Sequence, residues 1–234
     1  MSLLTICQDV ADEAGLPRPS TIIGNTDQLA LQMLALIKTA LKDLGRYNWN
    51  ILERVATFNT VNGTASYVTE ADYGRMIIDT AYVSTEYYRL RGSTTPQEWQ
   101  MMRNEMSSQL GKWSLRVFGS PLKVYLSPTP DRVETVVYEY ITSYLAATSG
   151  GTAKATFTID TDVPVLDEDI VKKSLKWRIK HAKGMDYSED YNEYEMTRAK
   201  MLAQSNAFGA MPVAVRSGAY DPPIGTVPED GFGV

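Results

Sequence analysis

The chain has 234 residues, of which 44% are hydrophobic, and a formal net charge of −5. This composition suits one or two globular domains, and the acidic balance excludes a global basic field that would draw the chain to nucleic acid or an anionic membrane. Cys7 is the only cysteine, which excludes an intrachain disulfide, and its apolar neighbours predict burial on a helix. No stretch approaches the roughly 18 apolar residues of a membrane span, and no signal-peptide pattern opens the chain, so we expect a protein made in the cytoplasm.

The first 50 residues predict two helices. Residues 3–14 have helical apolar spacing after Ser2, a residue type that caps helices. A second helix over 27–44 follows a cap at Asn25 or Thr26. So wide an apolar stripe predicts that other structure covers most of this helix. The stripe comprises Leu29, Met33, Leu36, Ile37, Ala40 and Leu44, flanked by Leu31, Leu34 and Leu41.

The middle of the chain predicts antiparallel strands. Apolar and polar side chains alternate over 54–61, and Asn62-Gly63 precedes a second short strand at 66–68, so we predict a β-hairpin there. Thr95 and Glu98 have the spacing of a capping box, which opens one helix through about residue 106. Further strands are predicted near 76–90, 113–118, 122–126 and 133–142.

Helical spacing returns after a flexible link at 149–152. Asp167 is placed to cap a helix that runs to Lys183, and Asp186 to cap a last helix that ends near residue 206. We therefore predict an α+β fold: a helical bundle from N- and C-terminal helices encloses an inserted antiparallel β-rich region, with an extended C-terminal arm. The predicted units are a helical domain of 1–50 plus 163–206, a β-rich insertion of 51–148 with one short helix, a linker of 149–162 and an arm of 207–234.

A row of lysines is the clearest charge feature. Four of them lie on one face of the predicted helix 167–183, at Lys173, Lys176, Lys180 and Lys183. This row predicts either a solvated face or a surface for an acidic neighbour or a nucleic-acid backbone. Together with Glu189 and Glu193 on the next helix, it also suits pairing between the subunits of a ring, or a charged channel face.

The acidic residues of the last helix do not predict an enzyme. Glu189 and Glu193, or Asp186 and Asp190, lie on adjacent turns of one helix, whereas sugar cleavage needs two carboxyls on opposite sides of a bond. Their position in the first turns complements the helix dipole. His181 is the only histidine, which excludes a multi-histidine metal site, and we predict a packed or rim position for it. We predict no catalytic, cofactor or metal site.

Two further patterns concern packing and docking. In the last helix, the spacing of Tyr187, Tyr191 and Tyr194 predicts a packed stripe rather than a platform for stacking bases. Residues 207–234 contain four prolines and five glycines together with recurring apolar side chains. Since free spacers are usually polar, this composition predicts an extended docking arm. The docking residues are Phe208, Met211, Val213, Val215, Tyr220, Ile224, Phe232 and Val234.

Taken in order, several motifs resemble the head-to-tail adaptor (connector) proteins of tailed bacteriophages, of the tail-tubular-protein-A type. The resemblance covers about residues 3–205, and relatives tend to have Leu-Pro where Thr69-Glu70 stand. The motifs are NTD at 25–27, GRYNWN at 45–50, YVTEADY at 67–73, TPQEW at 95–99, DTDVP at 160–164, WR at 177–178 and AKGMDY at 182–187.

The resemblance implies a structural protein of the virion rather than an enzyme. Such adaptors form a ring, typically of twelve copies, between the portal and the tail nozzle or tail tube, where they extend the channel for double-stranded DNA during genome ejection. Assembly in the host cytoplasm, no cofactor and no membrane are expected. The helical domain then forms the ring, and the arm docks in a groove of the portal protein or of a neighbouring subunit, with the portal as the favoured partner.

Three alternatives remain at this stage. A tail terminator or stopper ring is closest in class. A nucleic-acid-binding module would use the lysine row, and a cell-wall hydrolase would use Glu189 or Glu193.

Overall fold

The computed structural model describes residues 1–85, 88–90, 95–105 and 113–206. Four long helices come from the two ends of the chain and one shorter helix from its middle. Their bounds are α1 Leu3–Glu13, α2 Gln28–Leu44, α3 Pro96–Glu105, α4 Glu168–Ala182 and α5 Ser188–Asn206, and a 3-10 helix spans Asn50–Leu52. The predicted arm, 207–234, lies outside the described residues.

Eleven strands are described between α2 and α4, and they form three antiparallel sheets. The largest has the order β1-β8-β4-β5, with β3 also paired to β8; the others have the orders β2-β7-β6 and β10-β9-β11. The strands are β1 Glu53–Asn59, β2 Ser66–Val68, β3 Tyr73–Met76, β4 Tyr82–Val83, β5 Tyr88–Arg89, β6 Ser114–Phe118, β7 Lys123–Ser127, β8 Thr135–Thr142, β9 Ala146–Ala147, β10 Ala153–Lys154 and β11 Val163–Pro164.

The hairpin predicted at Asn62-Gly63 is wrong. β1 pairs with β8, from Glu53 opposite Ile141 to Asn59 opposite Thr135, whereas β2 pairs with β7 in another sheet. The turn itself forms, and Gly63 has the positive φ of 77° that such turns require. The chain therefore turns where predicted but passes from one sheet to the next.

Of the five helix caps that the sequence predicts, four make a hydrogen bond at the start of their helix: Ser2, Thr95, Asp167 and Asp186. Ser2 Oγ accepts a hydrogen bond from the Thr5 N–H, and the Asp167 carboxylate accepts one from the start of α4. Thr95 and Glu98 form the predicted capping box, each side chain accepting from the other's N–H at 3.2 Å. The cap of α2 is instead Asp27, one or two residues later than predicted.

The larger core joins helices from both ends of the chain. It is built by α1, α2 and α4, with Tyr194 from α5, and β8 adds Ile141. Cys7 is fully buried in it, as predicted, and burial, helped by the negative charge of Asp160, raises the pKa of its thiol to about 12. The thiol is therefore an apolar packing group rather than a nucleophile.

A second core lies inside the β-rich region. It packs the inner faces of the two larger sheets, and its largest fully buried side chain is Tyr138 of β8. Phe58, Tyr73 and Tyr140 surround that ring with centroid separations of 6.2–6.4 Å. The predicted fold class is thus confirmed: helices from both termini pack together, and antiparallel sheets lie between them in the sequence.

The segment between β10 and α4 is fixed by two aspartates. The Asp160 carboxylate accepts hydrogen bonds from the N–H groups of Ile22 and Ile23, the latter at 2.7 Å. Asp162 is fully buried and accepts from Lys154 Nζ at 2.8 Å and from the Thr158 N–H at 2.7 Å. The Asp160 bonds connect the predicted linker 149–162 to the loop that precedes α2, and the Asp162 bonds fix the linker internally.

Candidate assembly surface

The lysine row of α4 faces other helices of the same chain. Because α4 packs between α1 and α5, lysines at helical spacing reach the acidic residues of both. Lys176 Nζ lies 2.9 Å from the Glu13 carboxylate of α1 and 3.1 Å from that of Asp190 in α5. Lys180 binds the same Asp190, and Lys172 lies 2.8 Å from Glu13. Glu13 and Asp190 thus bind three lysines of α4, namely Lys172, Lys176 and Lys180.

Lys173 makes a second, smaller cluster. Its Nζ lies 3.0 Å from the Asp169 carboxylate one turn earlier in α4 and 3.2 Å from that of Glu193 in α5. The hydrogen bond that Lys173 donates to Asp169 is the main cause of the raised pKa of Lys173. Both clusters therefore stabilise the packing of α4 against α5.

The electrostatics of the first cluster follow from its geometry. Burial alone raises the pKa of Glu13, but the hydrogen bonds and charges of Lys172 and Lys176 outweigh that effect and lower it. The same balance between burial and lysine contacts lowers the pKa of Asp190. The hydrogen bond to Glu13 is the main cause of the raised pKa of Lys176. Glu13, Asp190 and Lys176 are therefore all charged at neutral pH.

The six residues of the predicted charge face fall into two groups, four that form ion pairs within the chain and two that do not. Lys173, Lys176, Lys180 and Glu193 take part in ion pairs within the chain. Lys183 and Glu189 are exposed, and neither makes an ion pair within the described part of the chain. A role of this face between subunits or in a channel stays a proposal.

An aromatic cluster covers the junction of α4 and α5. Trp177 lies within 6.3 Å of the ring centroids of Tyr187, Tyr191 and Tyr194. Tyr194 is buried, whereas Tyr187 and Tyr191 are partly open to solvent. His181 is exposed at the rim, with its ring 4.8 Å from that of Tyr187. The predicted packed stripe is therefore buried only at Tyr194, whereas Tyr187 and Tyr191 contact Trp177 but are exposed.

Beside this cluster lies a shallow cleft of about 300 Å³. Arg178 and Arg198 line it, together with Tyr47 at the exit of α2. Each arginine already has an acidic partner: Arg178 lies 2.7 Å from Asp43, and Arg198 binds Glu195. The charges of Arg178 and Arg198 in this cleft are thus neutralised by acids of the same chain.

The acidic pairs of α5 are not arranged as catalytic pairs. Asp186 accepts hydrogen bonds from Ser188 at the start of the helix, and Asp190 is held by two lysines. No group of three His, Cys, Asp or Glu side chains suited to a metal ion occurs among the residues that the structure describes. Within those residues, no helix combines the length and apolarity needed to cross a bilayer.

Arg75 makes a connection between the β-rich region and the helices that no sequence motif indicates. Arg75 of β3 donates to the carbonyl oxygens of Gly45 and Tyr47 at 3.1 and 2.9 Å and to Asn48 Oδ1 at 2.8 Å. Asp160 and Asp162 are anchors of the chain, a role that the motif DTDVP at 160–164 does not indicate. The sequence shows two acids separated by one residue before a strand, but this pattern does not indicate which groups they bind.

The eight predicted arm residues, Phe208 to Val234, lie outside the described residues.

Comparison with known protein families gives a match over nearly the whole chain. The model of the SU10 adaptor protein family matches residues 1–225. The chain belongs to the SU10 adaptor protein family. A search of the curated proteins found no match. The resemblance to phage head-to-tail adaptors noted from the motifs is thereby confirmed.

Membership of the SU10 adaptor protein family establishes the general role. The chain is a structural bacteriophage protein of the head-to-tail adaptor type and a component of the virion. Adaptors of this family work in contact with other head and tail proteins. The matched region also includes residues 207–225 of the predicted arm.

Proposed function

We propose that this adaptor assembles as a ring, of about twelve copies, between the portal and the tail nozzle or tail tube, and that the ring extends the channel for DNA. The family match over residues 1–225 carries this proposal. The ring is formed by the helical domain, 1–50 plus 163–206, and the β-rich insertion extends from it. The role is structural, without enzymatic chemistry, and assembly takes place in the host cytoplasm before genome ejection.

The charge distribution supports passage of DNA rather than binding. The chain carries a net charge of −5, and three of the four predicted lysines of α4 are neutralised within the chain. A phosphate backbone is retained by unneutralised Lys and Arg, so an acidic surface with internally paired lysines allows DNA to slide. This observation favours a channel component over a nucleic-acid-binding module.

The arm is assigned to the portal. Residues 207–234 begin directly after α5, whose last turn is held to the helical unit because Ser205 Oγ accepts from the Asn50 N–H at 3.0 Å. The arm thus starts from a fixed point. Apolar side chains in an extended peptide bind by filling pockets or by adding a strand. Copies in a ring gain further from multivalency.

The proposal is tested by reconstituting purified full-length protein with the portal of the same phage and imaging the complex by electron microscopy. We expect rings stacked on portal rings. Serine at Phe208, Met211, Val213 and Val215 is expected to abolish stacking, whereas alanine at Arg216 and Ser217 serves as a polar control of the same segment. Normal stacking by the serine variant would contradict the arm assignment. Wild-type protein that never joins a portal would contradict the adaptor placement.

A further inference from the structure

The outer surface of α2 carries an exposed stripe. Leu31, Ala35, Lys38 and Lys42 follow at i, i+4, i+7 and i+11, which places them on one side of the helix. The opposite side, including Met33, Ile37 and Leu44, is buried in the helical core. Leu31, in the first turn of α2, is 51% exposed. Neither lysine forms an ion pair with any described residue of the chain.

The outer surface of α5 carries a second stripe with the same spacing. Glu189, Glu193, Met196 and Lys200 also follow at i, i+4, i+7 and i+11. They lie away from the side that buries Tyr194. Met196 is 67% exposed, and Glu193 remains about half exposed although it contacts Lys173. Each stripe thus has two charges of one sign beside an exposed apolar side chain.

The two stripes are complementary when the helices run antiparallel. The two lysines are four residues apart, and so are the two glutamates. In the antiparallel arrangement Lys42 therefore faces Glu189, and Lys38 faces Glu193. Ala35 lies opposite Met196, where the small side chain leaves room for the long one. Lys200 lies over Leu31, so that its aliphatic stem covers the leucine while its ammonium points towards the exposed Asp27 at the start of α2.

We propose that the α2 stripe of one copy packs antiparallel on the α5 stripe of a second copy. This inference rests on the proposed ring and names its subunit contact. Both helices pack against α4 within a copy, and both stripes face away from the core, so each copy offers one stripe of each kind. A contact between two different surfaces is heterologous and is the type that closes rings.

Contacts between like stripes fit less well. Two α2 stripes bring together the two lysines of each copy, against one exposed acid per copy, Asp27. Two antiparallel α5 stripes pair Glu189 with Lys200 but leave the exposed Leu31 uncovered and make no use of Lys42. Lys42 faces an acid of the α5 stripe only in the heterologous contact. A change of its charge therefore distinguishes this contact from the two symmetric ones.

The test reverses one charge on each stripe in full-length protein and measures self-association by sedimentation velocity over a concentration series. We expect Lys42→Glu alone, and Glu189→Lys alone, each to raise the concentration at half-assembly about tenfold, since like charges then face each other. The two changes in one chain are expected to restore assembly. An equimolar mixture of the two single variants is also expected to assemble, because only unlike copies attract.

Matched controls have the same charge changes away from the stripes. Arg103→Glu in α3 and Asp131→Lys, both exposed, should leave assembly unchanged. Melting temperatures near that of the wild type show that all variants fold. Leu31→Asp and Met196→Asp test the apolar part and should weaken assembly at least as much.

The outcomes separate this inference from the proposed function. A wild-type ring that is indifferent to Lys42→Glu, or a double variant no better than the single variants, overturns the stripe contact and leaves the ring standing. Sensitivity to Glu189→Lys without sensitivity to Lys42→Glu indicates the symmetric α5 contact instead. Wild-type protein that stays monomeric at all concentrations, and that forms no ring when mixed with the portal, would contradict the proposed ring and therefore also the stripe contact.

Discussion

Lys176 Nζ lies 2.9 Å from the Glu13 carboxylate and thereby joins α4 to α1 across 163 positions of the sequence. The same ammonium also reaches Asp190 of α5, so one side chain connects three helices. Such a contact determines how the two ends of the chain are held together. It also gives stability a defined dependence on charge.

Replacing Lys176 by Met should lower the free energy of unfolding by about 1–2 kcal/mol, because two carboxylates, Glu13 and Asp190, each lose one of their two lysine partners. The value lies towards the lower end for charged hydrogen bonds since Glu13 is 38% exposed and water screens it. Denaturant unfolding followed by circular dichroism measures it. Lys183→Met is the control, since this exposed lysine makes no ion pair within the described residues, and its effect should stay within about 0.5 kcal/mol. Equal effects of the two changes would contradict a stabilising role of the cluster.

The same pair of variants predicts a pH dependence. The pKa values of Glu13 and Asp190 are lowered in the folded state, so their contribution is present above the unfolded values of about 4 and is lost as the pH falls through the folded values. The pKa of Lys176 is raised, so its contribution is present below about 10.4 and is lost at higher pH. The stability difference between wild type and Lys176→Met should therefore be constant between about pH 5 and 9 and shrink on both sides. A difference that grows in acid would exclude the cluster as its source.

Gly74→Ala should destabilise the β-rich region by about 1–3 kcal/mol. An added Cβ would lie 2.7 Å from the carbonyl oxygen of Ile141, and backbone paired in a sheet cannot yield as a side chain does. Gly150→Ala is the control, because its nearest neighbour would be Thr148 Oγ1 at 3.8 Å. Thermal unfolding of both variants measures the contrast. Indistinguishable melting temperatures would mean that β3 and β8 are less closely packed than described.

Asp160→Ala should cost about 1–3 kcal/mol, because the N–H groups of Ile22 and Ile23 lose their acceptor in a partly buried place. Asp131→Ala removes an exposed carboxylate and serves as the control. Hydrogen exchange gives a local measurement, with faster exchange expected at Ile22 and Ile23 in the Asp160 variant only. Unchanged exchange at these two amides would show that water replaces the carboxylate without loss.

Short-range signals predicted most of the helices. Ser2, Thr95 and Asp167 cap the helices that the sequence assigns to them, because a cap depends only on residues within one turn. The pairing of strands depends on distant residues. Asn62-Gly63 indicated a turn correctly, but Asn59 lies opposite Thr135, and no local pattern reports a partner that far away.

The candidate site was predictable to the same extent. Helical spacing correctly put Lys173, Lys176 and Lys180 on one side of α4. It could not tell that the acids of α1 and α5 would face them, because that depends on how three helices pack. Arg75 shows the same limit, since its acceptors are backbone carbonyls and leave no trace in side-chain composition.

Strand β8 has a consequence for mechanics. Its Val136, Tyr138 and Tyr140 belong to the β core, whereas Ile141, the next residue, belongs to the helical core. A strand paired along its length is stiff, and here it has one end embedded in each core. A force applied to the large sheet is therefore transmitted to the helical core through the backbone of β8. The hydrogen bonds of Arg75 to Gly45 and Tyr47 form a second connection beside it. A displacement of the β-rich region should thus displace the helices as well.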